Sequence, residues 1–72
     1  MMPSDTFPAR LMDARREAGL SVSELARLAS LSRQQVGNYE GGRSEPSMAA
    51  LARLAAALKC PVADLVPTPP LQ

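Results

Sequence analysis

Two Ser-x-x-Glu/Gln patterns lie only eleven residues apart, at residues 21–24 (SVSE) and residues 32–35 (SRQQ). In each pattern the serine hydroxyl can accept a hydrogen bond from the backbone amide of the third residue after it. The side chain of that residue can in turn accept a hydrogen bond from the backbone amide of the serine. This reciprocal capping box starts an α-helix. Two starts this close leave room for about two turns of helix and one corner. The spacing therefore predicts two short helices joined by a sharp turn.

Apolar residues recur at helical spacing along the rest of the chain, with proline or glycine at the ends of the segments. The first predicted helix spans residues 8–18, the second runs from the first capping box to near Ser30, and the third spans residues 33–40. A fourth helix begins at Pro46-Ser47, and residues 62–66 can add a short turn. The residues expected to face the core are Leu11, Ala14, Ala18, Leu25, Leu28, Ala29, Val36, Tyr39, Met48, Leu51, Leu54, Ala55 and Leu58.

No alternating strand pattern and no internal repeat interrupts this series of helices. The fold class is therefore predicted to be all-α, a compact domain of four to five helices with a helix-turn-helix in helices two and three. We expect residues 1–7 to form a flexible N-terminus, residues 8–66 to form the domain, and residues 67–72, which hold three prolines, to form an extended tail.

The composition argues against catalysis. Histidine is absent and Cys60 is the single cysteine, so the commonest neutral-pH base and any Cys/His metal cluster are missing. Glycines 41 and 42 lack the spacing of a nucleotide-binding loop. We expect no enzyme activity, metal or cofactor. The lone thiol and the lack of a spanning segment or secretory pattern favour a cytoplasmic protein with no membrane contact.

The chain from Arg10 to Val66 resembles the phage repressor and Cro family, also called the xenobiotic-response-element type. The matching residues are Gly19-Leu20-Ser21, Leu25-Ala26, Leu31-Ser32, Val36, Tyr39, Glu40-Gly41-Gly42-Arg43 and Pro46-Ser47-Met48. The resemblance implies a DNA-binding domain that places helix three in a major groove, on the nucleoid of a bacterium or of a phage-infected cell. It also implies an ion pair between Arg15 and Glu40, which link helices one and three.

The residues of helix three that point away from the predicted core are the candidates for contact with bases. At about 100° per residue, Gln34, Asn38 and Gly41 lie opposite Val36 and Tyr39. Glutamine pairs with adenine N6 and N7, and arginine with guanine O6 and N7. Gln35 has two possible roles, because it can also close the capping box on Ser32. The base-contacting candidates are Arg33, Gln34, Gln35, Gly37 and Asn38.

The candidates for phosphate contact lie at the starts of helices one to three and in the loop after helix three. They are Arg10, Ser21, Val22, Ser23, Ser32, Arg43 and Ser44. The sequence departs from the usual family pattern at two positions. Val22 stands where many relatives carry a phosphate-binding glutamine, so only backbone amides can bind a phosphate there. Ser30 stands where the family usually has glycine at the corner, so a left-handed backbone there carries strain.

One helix covers too few base pairs for useful specificity, so we expect a homodimer on a palindromic operator. The predicted dimer surface comprises Cys60, Val62, Leu65 and Val66, although Val62 and Leu65 can equally cap the core of one chain. The leading hypothesis is a sequence-specific regulator of transcription, most naturally a repressor. The alternative is an antitoxin or co-regulator whose main partner is another protein, bound through residues 67–72.

Overall fold

A computed structural model describes residues 6–66, which form four α-helices and one 3₁₀ turn. The helices are α1 (Phe7–Glu17), α2 (Val22–Leu28), α3 (Arg33–Glu40) and α4 (Met48–Leu58), and the 3₁₀ turn spans Val62–Asp64. No strand occurs within residues 6–66. The prediction of an all-α domain is therefore confirmed. The predicted extended tail, residues 67–72, lies outside the described residues.

The first helix begins earlier than predicted. The Thr6 hydroxyl accepts from the Ala9 amide at 3.4 Å and caps α1, whose first residue is Phe7. The Phe7 ring packs edge-on against Tyr39, with ring centroids 6.4 Å apart. Placing residue 7 in the flexible N-terminus was wrong, because this aromatic contact makes Phe7 part of the folded domain. Pro8 lies in the first turn, where its missing N–H leaves no hydrogen bond unmade.

Both predicted capping boxes are present. The Ser21 amide donates to Glu24 Oε1 at 2.8 Å, and the Glu24 amide donates to Ser21 Oγ at 3.1 Å. At the second box the Ser32 amide donates to Gln35 Oε1 at 2.8 Å, and the Gln35 amide donates to Ser32 Oγ at 3.0 Å. These bonds satisfy amides that the first turn of a helix leaves without a partner, so they fix where α2 and α3 begin.

All four helices end in the same way, with one residue in the left-handed conformation. In α2, which ends at Leu28, the Leu31 amide donates to the Ala26 carbonyl at 2.9 Å and the Ser30 amide to the Arg27 carbonyl at 3.3 Å. This pair of bonds is a Schellman motif. The left-handed residues are Gly19, Ser30, Gly42 and Lys59. Ser30 has φ of 58°, so this serine adopts the strained conformation that glycine adopts freely.

Replacing Ser30 with glycine is expected to stabilise the domain. Relief of the left-handed strain exceeds the entropy cost of glycine, so the free energy of unfolding should rise by about 0.5–1 kcal/mol. Urea unfolding measures this change. Ser30→Ala keeps the Cβ and serves as the control, which should give no comparable increase. Equal stabilities of the glycine and alanine variants would contradict the strain.

The core lies where α1 to α4 meet. Its buried residues are Leu11, Leu25, Ala26, Ala29, Val36, Tyr39, Ala50, Leu51, Leu54, Ala55, Leu58 and Leu65. Three expectations were wrong: Leu28 is 51% exposed, Met48 is 75% exposed, and Ala18, which follows the last residue of α1, is exposed as well. The buried stripe of α2, which comprises Leu25, Ala26 and Ala29, is centred close to Ala29, and Leu28 lies about 100° from that centre. Met48 lies on the first turn of α4, about 90° from the centre of its buried face.

The C-terminal turn completes the core of the single chain. Leu65 is fully buried within it, which corrects its assignment to a dimer surface: a side chain without exposed area cannot contact a second copy. Cys60, Val62 and Val66 pack against the same core but remain half-buried. These three residues remain candidates for the predicted dimer surface.

Candidate nucleic-acid interface

The orientation of α3 decides which of its side chains reach solvent. Val36 is fully buried and Tyr39 is 6% exposed, so one side of α3 packs into the core. The opposite side carries Arg33 and Gln34, which are exposed, and Asn38, which is half-buried. The helix thus presents arginine, glutamine and asparagine side chains outward from a rigid support.

An ion pair anchors α3 to α1. Arg15 Nε donates to Glu40 Oε2 at 2.6 Å and Nη2 donates to Oε1 at 3.1 Å, which is a bidentate arrangement. The side chains are only 14% and 7% exposed. Arg15 Nη1 also donates to the Leu20 carbonyl at 2.9 Å, and this bond attaches the loop before α2 to α1. The pair fixes the rotation of α3, and with it the side that the helix presents to solvent.

The neighbouring glutamines of α3 have different roles. The side-chain oxygen of Gln35 accepts from the Ser32 amide in the second capping box. Gln34 and Arg33 are exposed and make no side-chain hydrogen bond within residues 6–66. The capping alternative for Gln35 therefore holds, and Gln35 is removed from the base-contacting candidates. Arg33 and Gln34 keep all their hydrogen-bonding groups for an external partner.

Arg43 lies back across the end of α3. Its Nε donates to Asn38 Oδ1 at 3.0 Å, and its Nη2 donates to the Gly37 carbonyl at 3.3 Å. The guanidinium covers Gly41, where an added Cβ would lie 2.6 Å from Nη1. Gly37 is open, since an added Cβ there would meet nothing within 4 Å. Arg43 therefore covers one of the two glycines of this region and leaves the other open.

The structure groups most of the predicted phosphate-contacting residues around α2 and α3. Ser21 and Ser32 are the N-caps of these helices, Ser23 is exposed in the first turn of α2, and Ser44 is exposed in the loop after α3. Val22 packs its side chain against the core, so only its backbone can meet a phosphate. Amides at helix N-termini attract anions through the helix dipole.

Arg10 does not belong to this group. Its Nη1 lies 3.5 Å from the Asp64 carbonyl, so the side chain reaches towards the C-terminal turn. It borders a cleft of about 460 Å³ that is also lined by Asp13, Glu17 and Asp64. Three carboxylates around one arginine disfavour a phosphate, so this geometry does not favour the phosphate contact at Arg10, which stays a prediction.

Cys60 lies in the same cleft as Arg10. Partial burial and, less strongly, the negative charge of Asp64 raise the pKa of the Cys60 thiol. A raised pKa keeps the thiol protonated at neutral pH and lowers its reactivity.

The first capping box should make stability depend on pH. Hydrogen bonds from the Ser21 amide and hydroxyl lower the pKa of Glu24 below its ordinary value of 4.5. A carboxylate with a lowered pKa stabilises the fold fully above its unfolded pKa, and this stabilisation is lost as the pH falls through the folded pKa. Glu24→Gln keeps an oxygen acceptor but does not titrate. In urea unfolding its stability should therefore change less with pH below 4.5 than that of wild type; superimposable pH profiles would contradict this.

Two further features bear on the kind of site. No group of three or more His, Cys, Asp or Glu side chains within residues 6–66 is placed to hold a metal ion. None of the helices in this part of the chain is both long and apolar enough to cross a membrane.

Comparison with protein families gives a match over most of the chain. The model of the helix-turn-helix family HTH_3 matches residues 11–65. The chain belongs to this family. As an HTH_3 member it is a DNA-binding protein rather than an enzyme. No curated protein sequence matched it.

Solved structures of similar proteins share its fold. The restriction-modification controller protein C.AhdI from Aeromonas hydrophila is 37% identical, with a TM-score of 0.80 over 82% of this chain and 89% of that chain. The clp gene regulator ClgR from Corynebacterium glutamicum is 31% identical, with a TM-score of 0.79 over 90% and 69% of the two chains. The DNA-binding domain of the P22 c2 repressor, at 22% identity and a TM-score of 0.82 over 89% and 84%, shares the fold.

Proposed function

We propose that this HTH_3 protein is a sequence-specific regulator of transcription, most naturally a repressor, that binds a palindromic operator as a homodimer. The observation that carries the proposal is the outward side of α3. Arg33 and Gln34 are exposed there and make no side-chain hydrogen bond within residues 6–66, and the largely buried Arg15–Glu40 pair holds the helix that presents them. Similarity to a controller protein and a gene regulator supports a role in transcription.

The chemistry of these side chains fits the major groove. Gln34 can bond N6 and N7 of one adenine, and Arg33 can bond O6 and N7 of one guanine. Around them, the hydroxyls of Ser21, Ser23 and Ser32 and the amide of Ser23 bind phosphates, which sets the register of α3 without distinguishing sequences. Ser44 extends this contact beyond the end of the helix.

Dimerisation supplies the second half of the recognition site. One helix in the groove contacts only a few base pairs, and two copies contact half-sites about one helical turn apart. The half-buried Cys60, Val62 and Val66 form the apolar surface on which the copies meet. Such a regulator acts where the DNA is, in the cytoplasm of a bacterial cell, and represses by covering a promoter.

Selection of bound sites from a pool of random duplexes tests the proposed function. We expect the full chain to enrich a palindrome whose half-site centres lie about 10 base pairs apart. Enrichment of a single, asymmetric half-site would remove the homodimer from the proposal. Recovery of sequences no different from the starting pool would remove sequence-specific binding.

A charge substitution at the proposed dimer surface separates dimerisation from folding. Val66→Glu should shift sedimentation towards the monomer and weaken binding to the palindrome, because it places a charge in an apolar contact. Ala63→Glu is the matched control, since Ala63 is exposed in the same turn. Equal sedimentation of the two variants would place the dimer surface elsewhere.

A further inference from the structure

The side chain of Arg43 is held in one place by two hydrogen bonds to α3. Nε and Nη2, which share one edge of the guanidinium, donate to Asn38 Oδ1 and to the Gly37 carbonyl. The Arg43 amide also donates to the Asn38 carbonyl at 2.9 Å. An exposed arginine normally samples many rotamers, whereas this one is fixed on the helix before any ligand arrives.

Gly41 makes this position possible. Its backbone, at φ −85° and ψ −3°, is an ordinary right-handed conformation that any residue adopts, so the turn itself does not require glycine. The position of the Arg43 guanidinium does require glycine, because a Cβ at residue 41 would lie 2.6 Å from Nη1 and 2.9 Å from Cζ of Arg43. Gly42 differs, since its φ of 74° is required by the turn.

The bound guanidinium still has one pair of donors free. Arginine has five N–H groups, of which Nε and one hydrogen of Nη2 are used, so Nη1 and the outer hydrogen of Nη2 point away as a second fork. Gln34, Asn38 and Gly41 lie within about 60° of one another around α3, which places this fork on the same side as Gln34. Two parallel donors match the O6 and N7 acceptors of guanine.

We propose that Arg43 contacts a guanine in the major groove, and that Asn38 and Gly41 are its positioning residues. Asn38 then acts on sequence preference through Arg43 instead of contacting a base itself. The assignment differs from a phosphate contact, in which Arg43 strengthens binding to every sequence equally. It rests on the proposed function, because it presupposes that α3 enters the major groove.

A double-mutant cycle between residues 41 and 43 tests the proposal, with affinities measured on the selected site and on duplexes altered at each base pair. Arg43→Ala should lower discrimination at one G·C pair by about 5- to 150-fold. Gly41→Ala should lower discrimination at the same pair when Arg43 is present and have no effect in the Arg43→Ala background. Asn38→Ala should behave in the same way. Thermal unfolding of each variant verifies that the fold is kept.

Arg43→Lys distinguishes a base contact from a phosphate contact. Lysine keeps the charge but lacks the two pairs of parallel N–H donors of arginine. The variant should therefore keep the salt dependence of wild type and lose the preference for that G·C pair. Two results would overturn the proposal: additive effects of the alanine substitutions, or equal weakening on all sequences by Arg43→Ala. Either can occur while wild type still selects its site, so the failure differs from a failure of the proposed function.

Discussion

Glu40→Ala is expected to remove a large part of the stability of the domain, about 3–5 kcal/mol. The substitution leaves the guanidinium of Arg15, which is only 14% exposed, with the Leu20 carbonyl as its remaining partner. A domain of 72 residues has a total stability of about 4–11 kcal/mol. Urea unfolding followed by circular dichroism measures the loss.

Glu45→Ala is the matched control for the loss of a carboxylate. Glu45 is exposed in the loop after α3, so its removal should change the free energy of unfolding by no more than about 0.5 kcal/mol. The double variant Arg15→Met, Glu40→Leu should recover much of the stability lost by Glu40→Ala, because it leaves no charge unpaired. If Glu40→Ala unfolds at the same urea concentration as Glu45→Ala, the ion pair does not hold α3 in place.

Gln34→Ala is expected to weaken binding to the selected operator by about 1–3 kcal/mol and to relax the preference at one base pair. Gln34 is exposed and its side chain makes no hydrogen bond to the described residues, 6–66, so its removal should leave the free energy of unfolding nearly unchanged. Titration of labelled duplexes that differ at single positions measures both the affinity and the base preference.

The adjacent glutamine provides the control. Gln35→Ala removes the side-chain oxygen that accepts from the Ser32 amide, so it should lower stability by about 0.5–2 kcal/mol. Its base preferences should match those of wild type. If Gln35→Ala alters the preference at one base pair and Gln34→Ala alters none, the assignment of roles along α3 is reversed.

Local patterns were sufficient to predict most of the fold. The capping boxes depend on residues three positions apart, so residues 21–24 and 32–35 fixed the starts of α2 and α3 without knowledge of the tertiary structure. Burial was harder to predict, because apolar spacing identifies a face but not its centre. Leu28 and Met48 therefore lie outside the core, and Phe7 joined the domain through a contact with a residue 32 positions away.

Helical periodicity predicted the outward side of α3, but not the roles of individual side chains. The sequence allowed Gln35 either to contact a base or to close the capping box, and only the observed hydrogen bond from the Ser32 amide decides between these roles. The contact between Arg43 and Asn38 depends on how the chain turns after α3. In the sequence, Gly41 indicates only the end of a helix; its ordinary backbone angles and its closeness to the guanidinium are seen in the structure alone. The sequence carried no signal that Arg10 would reach the Asp64 carbonyl, which lies 54 positions along the chain.

Methylation interference on the selected duplex tests most directly whether α3 binds in the major groove. Methyl groups at guanine N7 project into the major groove, and those at adenine N3 project into the minor groove. We expect N7 methylation of guanines within each half-site to prevent binding, and N3 methylation of adenines there to have little effect. Interference by N3 methylation with none by N7 methylation would contradict the account, because it would place the protein in the minor groove.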